Sequence, residues 1–312
     1  MRLSFVIPAY NAAGSIGRTL ESVVGRAGEL PPGWQIEIVV VNDGSPDAAE
    51  LERVVSGVPA CRLLSHPQNR GMCAARNTGI QATTGDVVSI LDADDEMHPA
   101  WPSEFPALLR EWPAEANLCF AACRNTAGRV TSSHPGFSGL VRFEDMLAER
   151  YPGEYFPAFR GDYIRRRLYT DLGTRKSCGL LSYLSYSAEA PLWICNRVLR
   201  IYHDRRPGSV TSKWAQPSGS LETVRCYEAV IERFGEDLRR VSPRQYRLRM
   251  LRLAVYKAFA KRPDAWVAWR QGLGLSVLPH ALLAAGLMVA GGSTAGRIVS
   301  AAKRVGLVKR YG

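Results

Sequence analysis

Residues Ser89–Glu96 read Ser-Ile-Leu-Asp-Ala-Asp-Asp-Glu, so a short apolar run from Val87 to Leu91 ends in three carboxylates, Asp92, Asp94 and Asp95. Hard divalent cations such as Mg²⁺ and Mn²⁺ take oxygen ligands, commonly one or two carboxylates together with the phosphates of a substrate. Carboxylates at the end of a buried strand therefore point to a site for a cation and a phosphate-bearing ligand. An exposed acidic turn has the same composition, so the flanking elements must decide.

Those elements alternate. Leu3-Ser4-Phe5-Val6-Ile7-Pro8 reads as a buried strand stopped by proline. Ser15 predicts a helix start, with an apolar stripe at Ile16, Leu20, Val23 and Val24. A second strand, Ile36–Val41, runs into the turn Asn42-Asp43-Gly44-Ser45-Pro46. Leu51, Val54 and Val55 mark a second helix and Arg62–Ser65 a third strand; Asn69-Arg70-Gly71 opens a helix through Ala74, Ala75, Asn77 and Ile80. Strands alternating with helices imply parallel βαβ units in an α/β fold. In open sheets of that kind ligands bind beyond the carboxyl ends of the strands. Tyr10-Asn11, Asp43 and Asp92–Asp95 all fall at such ends.

Four motifs occur here in order: Phe5-Val6-Ile7-Pro8-Ala9-Tyr10-Asn11, Val40-Val41-Asn42-Asp43-Gly44-Ser45, Asn69-Arg70-Gly71 with Ala75-Arg76-Asn77-Thr78-Gly79-Ile80, and Leu91-Asp92-Ala93-Asp94-Asp95. As an ordered set they resemble the family 2 glycosyltransferases. The likeness is strong to Asp95, weaker beyond it and poor in the last third of the chain. It implies a GT-A fold, a Rossmann-like, mostly parallel sheet flanked by helices, over residues 1–213, followed by a basic, mainly helical C-terminal extension over 214–312. It further implies an inverting, metal-assisted transferase that moves a sugar from a nucleotide-diphosphate sugar, first of all a UDP-sugar, to a glycan or lipid-linked acceptor.

The resemblance also implies roles. Asp43 would read the nucleobase edge, a task that suits an acceptor-only carboxylate; a turn stabiliser is the lesser reading. Pro8, Tyr10 and Asn11 would wall the base pocket. Asp92 would contact ribose, and Asp94, with Asp95 beside it, would hold Mn²⁺ or Mg²⁺ on the diphosphate. Arg76 would orient Asp43 or approach phosphate; a surface arginine is the other reading. Val198-Leu199-Arg200-Ile201-Tyr202-His203 and the arginines after it resemble the segment that closes the catalytic domain. There His203 is a candidate metal ligand, and Arg205 or Arg206 a phosphate clamp.

An inverting transfer also needs a general base. In the family this is usually an acidic residue, often in a Glu-Asp pair, and it should fall near Ser177-Cys178. The chain has no acid there. Asp162 is the first replacement, with Asp171, Glu154 and Glu189 behind it; Asp162 also reads as a helix N-cap before Tyr163–Tyr169. The missing pair keeps open a second reading, a sugar-nucleotide-binding relative without turnover. A dinucleotide-dependent oxidoreductase is disfavoured, because Asn11-Ala12-Ala13-Gly14-Ser15 replaces the Gly-x-Gly-x-x-Gly turn.

The 312 residues carry a formal net charge of +11, with 46% hydrophobic residues. The basic excess is concentrated late in the chain and suits phosphate or an anionic membrane face. No nucleic-acid-binding motif accompanies it. The seven cysteines form no Cys-x-x-Cys pair; scattered among apolar residues, they suit a reducing cytoplasm. The first strand begins within three residues of Met1, which leaves no room for a secretory signal. Ser242-Pro243 opens a helix with stripe Leu248, Leu251, Val255 and Phe259. Leu273–Ala290 is the most apolar window, but Gly274, Ser276, Pro279 and His280 interrupt it. That window suits a buried or interfacial helix better than a membrane span. Arg297–Arg310 mixes apolar and basic residues and suits the anionic inner face of a membrane, so the location expected is cytoplasmic and peripheral.

Overall fold

The computed structural model describes residues 1–203 and 217–304. Its strands are β1 (Arg2–Ala9), β2 (Gln35–Asn42), β3 (Cys61–Ser65), β4 (Val87–Ile90), β5 (Glu96–Met97), β6 (Leu118–Asn125), β7 (Gly139–Val141), β8 (Tyr155–Arg160) and β9 (Leu192–Tyr202). The helices are α1 (Ala13–Val24), α2 (Ala48–Ser56), α3 (Met72–Ala82), α4 (Trp101–Glu111), α5 (Phe143–Leu147), α6 (Gly161–Arg166), α7 (Gly179–Glu189), α8 (Pro217–Val241), α9 (Pro243–Phe259), α10 (Ala265–Gln271) and α11 (Leu278–Arg304).

The strands form one mixed sheet in the order β3-β2-β1-β4-β8-β6-β9-β5, with β7 on β9. β3, β2, β1 and β4 are mutually parallel. β8 runs antiparallel to both β4 and β6, and β6 is parallel to β9. Side chains alternate across a pleated strand. Phe5, Ile7 and Ala9 therefore join one core layer with Ile16, Leu20, Trp101 and Phe105, while Val6, Val88 and Ile90 join the other with Ile80, Phe159 and Tyr186. Burial on both faces is why the parallel strands read as continuous apolar runs.

Two sequence expectations shift. β1 continues through Pro8 to Ala9. β4 pairs with it only as far as Val6, so the missing N–H of Pro8 lies past the end of that ladder. α1 begins at Ala13, before Ser15. Asp47 Oδ2 accepts the Ala13 N–H at 2.8 Å, and the Ser15 hydroxyl reaches the Ala93 carbonyl at 2.9 Å. A carboxylate from the loop after β2 thus satisfies the helix end that a local cap would otherwise serve.

The chain divides into two compact units, Met1–Met146 with Arg150–Arg205, and Leu147–Glu149 with Arg206–Gly312. Within the second unit, α9 buries Leu248, Leu251, Val255 and Phe259. Lys257 on α9 pairs with Glu228 of α8 at 2.8 Å and with Asp264, just before α10, at 2.5 Å.

Candidate active site

The carboxyl ends of β1, β2, β4, β6 and β9 share one sheet edge, and the start of the reversed β8 joins them. Asp43 follows β2 and is buried. It accepts three hydrogen bonds: His66 Nδ1 to Oδ1 at 2.7 Å, Arg70 N–H to Oδ1 at 2.9 Å and Gly71 N–H to Oδ2 at 2.8 Å. A carboxylate only accepts, so His66 donates from Nδ1; in the neutral ring its Nε2 accepts from the Thr78 hydroxyl at 2.9 Å. About four lone-pair positions exist on a carboxylate, which leaves Asp43 one further place on Oδ2.

Two glycines make this packing possible. A Cβ on Gly44 (φ 65°) would meet the backbone of Gln68 and Asn69 at 2.3–2.6 Å. One on Gly71 (φ 97°) would meet the Thr174 carbonyl oxygen at 2.0 Å. Both positions combine positive φ with close backbone approach.

Beyond β4, Asp92 lies between two arginines. Arg76 Nη2 stands 3.4 Å from Oδ1 and Arg200 Nη1 3.4 Å from Oδ2. At these lengths the contacts are ion pairs more than tight hydrogen bonds. Arg76 also donates to the Ser177 hydroxyl at 3.1 Å and stacks over Tyr169 at 5.3 Å. It serves Asp92, then, and has no contact with Asp43. Arg200, buried within β9, reaches Asp95 at 3.4 Å and Glu154 at 3.5 Å as well. Asp95 is buried and accepts the His203 N–H at 2.9 Å on Oδ1, whereas its Oδ2 has no hydrogen-bond donor. Burial pushes the Asp95 carboxyl up to about 7; Arg200 opposes the rise and the charge of Asp92 adds to it.

Glu154, just before β8, is half-exposed at 52%. Packing on its protein side raises its carboxyl above the usual glutamate range, Arg200 opposes this, and Asp92 contributes to it.

Asp162 goes elsewhere. It follows the far end of β8, where Arg160 pairs with Val87 at the opposite end of β4. There Asp162 is 82% exposed and pairs with Arg165 at 2.8 Å. The reversed direction of β8 puts Asp162 at the edge opposite Asp43 and Asp92–Asp95, and Glu154 on the same edge as they are. Of the other replacements, Asp171 accepts the Gly173 N–H at 2.9 Å in a surface turn, and Glu189 pairs with Arg167. Asp94 is partly exposed, and its carbonyl accepts from Arg18 at 3.0 Å. His203 turns Nε2 to Glu96 at 2.8 Å, which leaves only Nδ1 for an ion. Tyr10 is 51% exposed at the mouth of the edge, Asn11 takes the left-handed conformation (φ 52°), and Pro8 is part-buried in β1. Arg205 lies outside the described residues.

Sequence reasoning missed His66 and Arg200. His66 directly follows β3, on the edge already marked by Asp43. Arg200 stands between Leu199 and Ile201, a lone cation in an apolar strand. Each had a signal, the first in strand order and the second in a broken apolar pattern.

The family model described as glycosyl transferase family 2 matches residues 4–173. That stretch is more than half of the chain and includes every strand-end motif through Asp95.

The chain belongs to glycosyl transferase family 2.

Among its relatives is the uncharacterized glycosyltransferase YibD of Escherichia coli K12, 33% identical over 138 residues, which are 43% of this chain and 38% of that protein. The succinoglycan biosynthesis protein ExoO of Rhizobium meliloti is 38% identical over 97 residues, 31% of this chain and 26% of its own length. The bactoprenol glucosyl transferase of Shigella phage SfX is 34% identical over 135 residues, 42% of each chain. The matches thus span well under half the length of these relatives. The crystal structure of Staphylococcus aureus TarS residues 1–349 with UDP-GlcNAc superposes with a TM-score of 0.58 at 15% identity, covering 93% of this chain and 81% of that one. That likeness is one of fold. At Ser177-Cys178, where the resemblance leads to the expectation of an acidic pair, the chain has none and Arg76 donates to the Ser177 hydroxyl.

Proposed function

We propose that this protein transfers a sugar, with inversion, from a nucleotide-diphosphate sugar to a hydroxyl of a glycan or lipid-linked acceptor, with a UDP-sugar the first donor to test. One observation carries the reading. A buried aspartate with one acceptor place left, a carboxylate cluster and a solvent-facing glutamate stand on the same sheet edge. The relatives named for succinoglycan biosynthesis and for bactoprenol glucosylation support the acceptor class.

Among the described residues Asp92, Asp95 and Glu154 share the two arginines Arg76 and Arg200, three carboxylates to two cations, so when ionised they keep an excess of negative charge suited to a divalent cation. Asp95 Oδ2, buried with no hydrogen bond beside its 3.4 Å ion pair to Arg200, fits such an ion, and Asp94 is its neighbour. Among the described residues no group of three His, Cys, Asp or Glu side chains is arranged to hold a metal. Mg²⁺ and Mn²⁺ are commonly held by one or two carboxylates plus substrate phosphates, so the chain would supply only part of the ligands. When bound, the ion offsets the charge that builds on the departing diphosphate.

The chain's own residues do the rest. Asp43 accepts an N–H of the nucleobase on its remaining lone pair. Arg76 and Arg200 fix Asp92 so that it can accept from ribose hydroxyls. Glu154 takes the proton of the acceptor hydroxyl as that oxygen bonds to the anomeric carbon, while the bond to the diphosphate oxygen breaks and nucleoside diphosphate leaves. All seven cysteines are free thiols, which supports a cytoplasmic location.

The test is nucleoside diphosphate release from a panel of UDP-, GDP- and dTDP-sugars with Mn²⁺ or Mg²⁺. We expect release with one donor class and its loss, together with metal-dependent donor binding, in Asp94→Ala. Tight donor binding without turnover under any acceptor would instead support the binding-only relative.

A further inference from the structure

α11 turns Leu278, Leu282, Leu283 and Val289 outward. Val277, just before it, and Ala281, Ala284 and Met288 are buried, and Trp269 Nε1 donates to the Ala281 carbonyl at 2.9 Å. By contrast, Leu278, Leu282, Leu283 and Val289 are 47%, 64%, 62% and 78% exposed, and Leu275 is 92% exposed. Ala281, Ala284 and Met288 face the protein while Leu278, Leu282 and Leu283 face outward, the reverse of an ordinary amphipathic surface helix. An apolar patch of this kind marks an interaction surface.

Length and charge identify what covers it. By length and composition, Leu275–Gly292 is apolar enough to cross a membrane, with a mean hydropathy of 1.6 and only 22% of the window buried. Gly291 (φ 75°, ψ 163°) breaks the helix there. The straight piece Leu278–Ala290 is therefore about 20 Å long at 1.5 Å per residue, short of a hydrocarbon core about 30 Å thick. Such a piece can lie in a membrane interface but cannot span it. From Ala265 to Gly312 the sequence carries Arg270, Arg297, Lys303, Arg304, Lys309 and Arg310 and no acidic residue. A leucine face whose flanking sequence carries basic residues and no acid matches an anionic lipid surface.

We infer that the outward leucine face of α11 docks in the plane of an anionic phospholipid bilayer, with the flanking basic residues held at the headgroups. This contact stands whether or not sugar is transferred.

The experiment is co-sedimentation of the full chain with phosphatidylcholine vesicles and with vesicles that also contain phosphatidylglycerol. Binding is expected to the anionic vesicles and to weaken at high salt. Leu282→Asp with Leu283→Asp should lower it roughly tenfold or more, and Leu275→Asp should lower it in part. The thermal midpoint and nucleotide-sugar affinity should not change, because these side chains point away from the core. Unaltered binding by the double variant, or no binding of the parent at low salt, overturns the inference. A parent dimer that the double variant dissociates, without vesicle binding, overturns it in favour of a second copy. Retention of the parent on vesicles after alkaline carbonate extraction overturns the in-plane placement.

Discussion

Asp43 holds three donors and has room for one more, so in the proposed reading its partners would set the angle at which a nucleobase reaches it. His66 is the one partner that can be removed without touching the backbone. His66→Ala leaves Oδ1 short of a donor inside a buried pocket, and a lost hydrogen bond to a charged group costs on the order of 1.5–3 kcal/mol. Donor affinity should fall about tenfold with little change in turnover at saturation, as isothermal titration and initial rates would read; an unchanged Kd would show that Asp43 needs no such support. Glu154 makes a different prediction. Glu154→Gln keeps the shape and removes the proton acceptor, so donor binding should persist while transfer drops by about 10²–10⁴-fold. The informative control is Asp162→Asn, which sits at the far edge and should transfer normally. If Asp162→Asn abolishes transfer and Glu154→Gln does not, the edge assignment fails.

At the scale of elements, what the chain disclosed was apolar continuity, and what it withheld was direction. Val87–Leu91 and Ile36–Val41 read as buried strands because both faces are covered, and β4 and β2 lie there. Phe156–Phe159 reads the same way up or down, since an apolar strand carries no sign of its polarity. Asp162 and Glu154 lie at opposite ends of β8, so only its direction separates them. Arg76 is a candidate from its motif, but its partner Asp92 lies on another element, and pairings between elements are not written in local spacing.

The opposite sheet edge is held by Glu37, which ties β2 to Ser4 at 2.5 Å, to the Thr84 N–H at 2.9 Å and to Arg62 at 3.7 Å. Burial alone would raise this carboxyl, but the hydrogen bonds and Arg62 outweigh it and hold it below the usual range. A lowered folded-state pKa means the folded state binds fewer protons than the unfolded state around that pH. The stabilisation is therefore present above the ordinary glutamate value and is lost as pH falls through the folded one. Glu37→Gln should melt lower than the parent at pH 7, by the order of 1 kcal/mol, and the gap should close in acid. A gap that persists unchanged at low pH would mean that shape, not charge, matters there.

On the scale of the whole molecule, the second unit takes in a three-residue piece of distant sequence, Leu147–Glu149, along with Arg206–Gly312. Within that unit Arg249 of α9, 2% exposed, pairs with Glu149 at 2.6 Å, and Gln245 donates to the Ala148 carbonyl at 3.4 Å. Glu149 holds a positive φ of 51° to make the contact. A buried guanidinium without its carboxylate is costly, because desolvation stays while the attraction is lost; removing one partner costs about 3–5 kcal/mol, less where the partner is partly exposed, as Glu149 is. Replacing both partners by apolar residues is often neutral. Glu149→Ala should therefore speed amide exchange along α9 and lower the melting midpoint, and adding Arg249→Met should recover most of the loss. The strands of the first unit should keep their protection throughout, because their core is built from other residues. Full protection of α9 in Glu149→Ala would mean that the pair does not hold this unit together, and that Arg249 is accommodated by water instead.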